Sequence, residues 1–236
     1  MQLNSDFSQR VVILPDDYQF IASPLAGVSR MMLDRAGAEV ARATSIVRYA
    51  ASSGYSAHTH EGGEEILVLD GVFSDEHGDY PAGTYLRNPP GTSHKPFSVN
   101  GCTLLVKLWQ FAADDSTALQ VNTSRQAWRP GLVPGLSVMP LHDHNGVSTA
   151  LVRWAPHTRF NQHIHVGGEE ILVLEGLFCD EHGEYPAGSW LRNPRYSRHS
   201  PFTLQQGALI YVKVGHMDAG LLGDKFIKDV QVGFTN

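Results

Sequence analysis

The chain has 236 residues, enough for one large domain or two of ordinary size, each with a real core. Its 42% hydrophobic and 18% charged residues are those of a soluble globular protein. A net charge of −6 without a Lys/Arg cluster argues against a nucleic-acid footprint, and the absence of any run of about 18 apolar residues argues against a helical membrane span.

In chain order, the polar start "MQLNSDFSQR" lacks the apolar stretch of a secretory signal. Strand-like runs follow: "TSIVRYA", "EEILVLDGVFS", "GTYLRNP" and "TLLVKLW", separated by Gly, Pro, Asn and Asp turn signals. The stretch "AADDSTALQVNTSRQ" (112–126) reads as a linker, and a similar series of strands follows it. No segment shows a sustained apolar period of 3.6 residues, so an all-β sandwich, barrel or jelly roll is expected. Cys102 and Cys179 have Ala208 and Ser74 at the matching positions of the other half. A disulfide framework is therefore not expected, and a cytoplasmic location fits best.

The second half copies the first. Shifting the chain by 105 residues aligns Glu64–Phe97 with Glu169–Phe202, and 23 of these 34 positions are identical, which marks a duplicated structural unit. Upstream, Gly27 answers Gly135 at an offset of 108, so the first copy has three extra residues near 37–43. The expected domains are 1–113, with N-terminal strands, and 127–236.

Within each copy, two histidines stand two residues apart, His58 with His60 and His163 with His165. On a strand such a pair projects to one face. Glu64 (Glu169) follows, and a later run brings His94 (His199). Three imidazoles and one carboxylate suit a divalent transition metal. An isolated pair of this kind is more often a surface or turn feature. His142 and His144 beside an Asn-Gly hairpin signal are read that way, and His77 and His182 as turn residues. The recurrence of the whole quartet at one offset reverses that weighting for His58, His60, Glu64 and His94.

These motifs resemble the cupin superfamily. The pattern HxHx3Ex6G runs through His58, His60, Glu64 and Gly71, and again through His163, His165, Glu169 and Gly176. A second pattern, Gx5PxGx2H, runs through Gly83, Pro89, Gly91 and His94, whereas the other copy carries Tyr196 at the glycine of Gly188–His199. Its closing Asn is absent from both copies, with Ser98 and Thr203 nearby. The wording "GGEEILVLxGxFxDExGxYPAGxxxRNP" looks like the ChrR-like cupins. The resemblance implies two tandem jelly-roll-like β-barrels, each holding one metal ion on its inner wall through His, His, Glu and His. Zn or Fe(II) leads, with Mn and Ni as further candidates. A turn that needs positive φ favours Gly over Tyr, so the two mouths are expected to differ.

Three functions compete. One is a metal-binding bicupin that takes a small molecule. The second is a metal-dependent dioxygenase, similar to the dihydroxyacetophenone- and diketone-cleaving members of the family. The third, an anti-sigma regulator, is disfavoured because the His/Cys zinc module expected before the first barrel is missing: the first His is His58 and the first Cys is Cys102. No membrane or nucleic-acid partner is expected, and the sequence sets no oligomeric state. Arg48 and Arg153, Tyr49 and Trp154, Arg87 and Arg192, and Tyr85 and Trp190 recur in pairs; an interior Arg could orient a carboxylate, and a solvent-facing Arg is the plainer reading.

Overall fold

A computed structural model describes residues 1–38 and 40–217. The last part of the expected second domain, 218–236, lies outside the described residues. Sixteen strands carry the architecture. They are β1 (Val11–Ile13), β2 (Val28–Gly37), β3 (Ala41–Tyr49), β4 (His58–Thr59), β5 (Glu64–Asp75), β6 (Thr84–Asn88), β7 (Ser93–His94) and β8 (Cys102–Leu108). The series continues with β9 (Leu119–Asn122), β10 (Leu136–His144), β11 (Val147–Trp154), β12 (His163–His165), β13 (Glu169–Asp180), β14 (Trp190–Asn193), β15 (Ser197–His199) and β16 (Phe202–Val214). Among the described residues the only helical pieces are the 3-10 turns Pro15–Asp17 and Thr123–Arg125. The all-β architecture read from the turn spacing is what the chain adopts.

Two compact units form, one from Met1–Ser5 with Tyr18–Gln126 and the other from Asp6–Asp17 with Ala127–Asn236. In unit 1 the main sheet runs β2-β3-β8-β5-β6-β9, and in unit 2 β10-β11-β16-β13-β14-β1. Small two-stranded ladders, β4 with β7 and β12 with β15, stand apart from these sheets. Among the described residues neither hydrogen-bonded order closes into a ring. The edge strands come from unexpected places. β9 arises within 112–126 and pairs with β6, and β1 from the N-terminal arm pairs with β14.

Both faces of β5 and β13 are covered, which explains the unbroken apolar run "EEILVL" in each copy. Ile66 and Val68 join Leu104, Val106 and Phe73 in the inner core of unit 1. Ile171, Val173, Phe178 and Ile210 do the same in unit 2. The motif glycine Gly71 has φ +73, and a Cβ there would collide with the Gly101 carbonyl; Gly176 meets Gly207 in the same way. Only Gly allows this turn in the middle of a long strand. The pairing of β5 and β8 shifts register nearby, between Thr103 and Leu104.

The double glutamate divides its work between the two faces. Glu64 turns inward, and Glu65 turns outward between Arg87 of β6 and Lys107 of β8. Glu65 accepts a hydrogen bond from Tyr85 Oη at 2.7 Å and lies 3.4 Å from Arg87, which also pairs with Asp115. In unit 2 Glu170 takes the Trp190 indole N–H at 3.0 Å and lies 3.2 Å from His216 Nε2.

Candidate metal centres

Strand geometry builds each site. In unit 1 His58 and His94 are direct cross-strand partners in the β4–β7 ladder. The His60 backbone continues the connection, its N–H donating to the Thr92 carbonyl and its carbonyl accepting from Gly91 N–H. Glu64 opens β5 between Asn88 and Leu108. The three imidazole centroids lie 4.6–5.1 Å apart. One donor atom from each of His58, His60, Glu64 and His94 falls within 4.8 Å of all the others.

The other imidazole nitrogens define the tautomers. Nδ1 of His58 lies 3.0 Å from the Ser56 carbonyl, which can only accept. Nδ1 of His60 lies 3.0 Å from Thr92 Oγ1, whose own proton goes to the Pro89 carbonyl at 2.7 Å. Nδ1 of His94 lies 3.3 Å from Asp75 Oδ2. All three protons therefore sit on Nδ1, and the Nε2 lone pairs face inward. His60 Nε2 and His94 Nε2 are buried without a hydrogen bond, yet Glu64 Oε2 is only 3.2 and 3.5 Å from them. Acceptors crowded against acceptors need a cation between them, so the residues fit a divalent metal ion.

Unit 2 repeats the plan less tightly. His163 and His199 are cross-strand partners, and His163, His165 and His199 have donor atoms within 4.8 Å of one another. Nε2 of His165 and of His199 are 3.0 Å apart, and Glu169 Oε2 lies 3.5 Å from each. Asn88 and Asn193, from the "RNP" strands, hold the carboxylates with amide N–H donors at 3.2 and 2.9 Å. Behind unit 2, Arg10 of the N-terminal arm reaches Asp180 at 3.1 Å and Asn193 at 2.9 Å, so it supports neighbours of both His199 and Glu169. Asp180 faces His199 Nδ1 at 3.6 Å, longer than a hydrogen bond.

Burial lowers the pKa of His94, with a further lowering from the charges of His60 and His58 against the opposing pull of Glu64. His163 and His165 are lowered by burial as well. Burial alone would raise Glu64, but His60, His94 and Asn88 outweigh it and hold the carboxyl below its usual range. His199 goes the other way: burial would lower it, and Asp180, Glu169 and Glu181 together raise it. In unit 1 the result is a neutral His94 beside an ionised Glu64, the states a metal ligand needs.

The quartet of unit 1 opens into a cavity of about 320 Å³ whose walls include Val47, Tyr49, Phe73 and Leu104. Tyr49 thus belongs to the pocket, as its recurrence suggested. Arg87 and Arg192 do not. Both are fully buried on the outer face, in the ion pairs and the backbone bond that fasten β9 and the N-terminal arm. Arg48 and Arg153 lie over Phe20 and Trp128. The turn before His199 keeps its shape despite the change of residue, with φ +90 at Gly91 and +61 at Tyr196. His142 and His144 stack on each other and join neither cluster.

A duplicated jelly-roll unit with a convergent His/Glu cluster in each copy defines a two-domain cupin. The model of the ChrR Cupin-like domain matches residues 8–112 and 116–218, and the chain belongs to that family. No curated protein matches it in sequence. Solved structures share the fold. A Nostoc punctiforme protein proposed to be a dioxygenase has 17% identity and a TM-score of 0.73, covering 88% of this chain and 82% of its own. Escherichia coli Ylba has 16% identity and a TM-score of 0.69, covering 91% and 94%. The bacterial pirin YhhW from Escherichia coli, in complex with nickel(II), has 14% identity and a TM-score of 0.62, covering 87% and 99%. No helix of the described residues is long and apolar enough to cross a membrane.

Proposed function

We propose that each unit holds one divalent transition-metal ion, on His58, His60, Glu64 and His94 in unit 1 and on His163, His165, Glu169 and His199 in unit 2. In this reading unit 1 binds a small molecule at its ion. The observation that carries it is the fixed set of Nδ1 protons in unit 1, which leaves three lone pairs and a carboxylate aimed at one point. An ion there supplies Lewis acidity and, as Fe(II), redox chemistry toward dioxygen. The chain's own part is to hold the ligand nitrogens in one tautomer and to line the space beside them with the apolar side chains Val47, Phe73 and Leu104. The nickel in YhhW shows that a relative in fold holds such an ion. The free, buried thiols of Cys102 and Cys179 fit a reducing compartment, the cytoplasm.

A second reading, an Fe(II)-dependent dioxygenase, is favoured by the cavity beside the quartet. A closed structural zinc site has no use for such a space. The Nostoc protein, similar in fold, is proposed to be a dioxygenase. The test is anaerobic Fe(II) loading followed by oxygen-uptake assays on β-diketones and hydroxylated aryl ketones. Uptake abolished by His94→Ala and retained by His199→Ala places the reaction in unit 1. Ion content near two per chain without turnover on any of these leaves the binding function alone standing.

A further inference from the structure

The cavity of unit 1 has a cationic wall as well as a ligand-bearing floor. Arg30 and Arg35 both line it, together with the three histidines. They are an odd number of residues apart on β2 and would face opposite ways on a regular strand. The register of β2 on β3 shifts between Met32 and Asp34, and this extra residue brings both to the same side. Arg35 lies opposite Ala43, Ala43 opposite Leu108, and Leu108 opposite Glu64. Three ladder steps of about 4.8 Å therefore separate the backbones of Arg35 and the metal-binding carboxylate, roughly 14 Å along the wall. Arg35 is steadied by donating to the Ala38 carbonyl. Burial, and after it the charge of Arg30, lower the pKa of Arg35, so the two guanidinium groups feel one another.

Glu61 also borders the cavity, at its exposed rim. The fold itself does not call for the arginines. In unit 2 the positions with the same register are Val138, opposite Val152, and Asp143, opposite Ser148. At these two register positions arginine occurs only in the copy whose four ligands converge.

We propose that the unit 1 cavity takes a small molecule with two heads, an oxygen chelator on the His58–His60–Glu64–His94 end and a carboxylate on the Arg30–Arg35 end, joined by a short apolar body. The chelating end rests on the metal reading given above; the carboxylate end does not. Two guanidinium groups suit a carboxylate because their N–H forks match its two oxygens. A volume of about 320 Å³ is roughly eleven water volumes, room for about a dozen non-hydrogen atoms.

The test uses the full chain loaded with Zn(II), its ion content measured, and calorimetric titration with adipic acid monohydroxamate and with its terminal carboxamide analogue. The carboxylate should bind at least ten-fold tighter, and added salt should erode that preference. The preference should vanish in an Arg30→Gln, Arg35→Gln double variant whose affinity for the carboxamide is unchanged. Equal binding of the two probes to the wild type overturns the proposal, whether or not the variant folds, and so does a preference that survives in a folded double variant. Hexanoate against hexanamide on chelator-treated chain repeats the comparison without an ion. A chain that takes up no ion overturns the chelating end, and equal binding of hexanoate and hexanamide overturns the carboxylate end.

Discussion

Thr92→Val probes the feature that fixes the unit 1 site. The Thr92 hydroxyl gives its proton to the Pro89 carbonyl at 2.7 Å, so its oxygen can only accept from His60 Nδ1, 3.0 Å away. Valine has the same shape and removes that acceptor. The buried Nδ1–H then has no partner, and the tautomer with the proton on Nε2, which cannot bind an ion, gains population. Partners of this kind are worth about 10- to 100-fold in metal affinity, or about 1.4–2.7 kcal/mol. Unit 2 contains its own control. Ser197 stands at the matching position, and its Oγ is buried without a hydrogen bond, so Ser197→Ala should change affinity less than about three-fold. The assay is competition for Zn(II) against a colorimetric chelator, each variant placed in a chain whose other site is emptied by paired His→Ala changes. Equal losses at both sites, or no loss from Thr92→Val, would refute the assignment of tautomers.

Other outcomes follow from the supporting contacts. Arg10→Met removes bonds to Asp180, Tyr185 and Asn193 and should cost unit 2 about 2 kcal/mol, read as a lower denaturation midpoint. Burial would raise Asp180, but His199, Tyr185, the His182 N–H and Arg10 bring it down to about 2. Because the folded pKa is depressed, its stabilisation is present above the unfolded range near 4 and is lost as pH falls toward 2; that acid limb should be shallower in Arg10→Met. Asp115→Ala leaves the buried Arg87 short of a partner and should cost about 3–5 kcal/mol while sparing the metal content of unit 1. Tyr196→Gly relieves a left-handed residue and should stabilise unit 2 by roughly 0.5–1 kcal/mol in denaturant titrations.

The repeat and the ligand quartets were legible because both follow from local spacing: His two apart on a strand, Glu at the start of the next, and the same order 105 residues on. The edge strands were not. Val11–Ile13 and Leu119–Asn122 are short, and their pairing depends on which sheet edge lies near, a property of topology. The same limit hid the roles of Glu65 and Arg87. Alternation placed them on the face away from Glu64, and that face would have been solvent had β9 and the linker around Asp115 not covered it. Arg30 and Arg35 escaped notice because their odd spacing points them apart unless a bulge intervenes.

The proposed function puts one ion in each unit on the eight named side chains, and crystals grown with Zn(II) and measured on both sides of its absorption edge test for both ions. Two anomalous peaks per chain are expected, one among His58, His60, Glu64 and His94 and one among His163, His165, Glu169 and His199. No peak at either cluster, or peaks only at other residues, would contradict it.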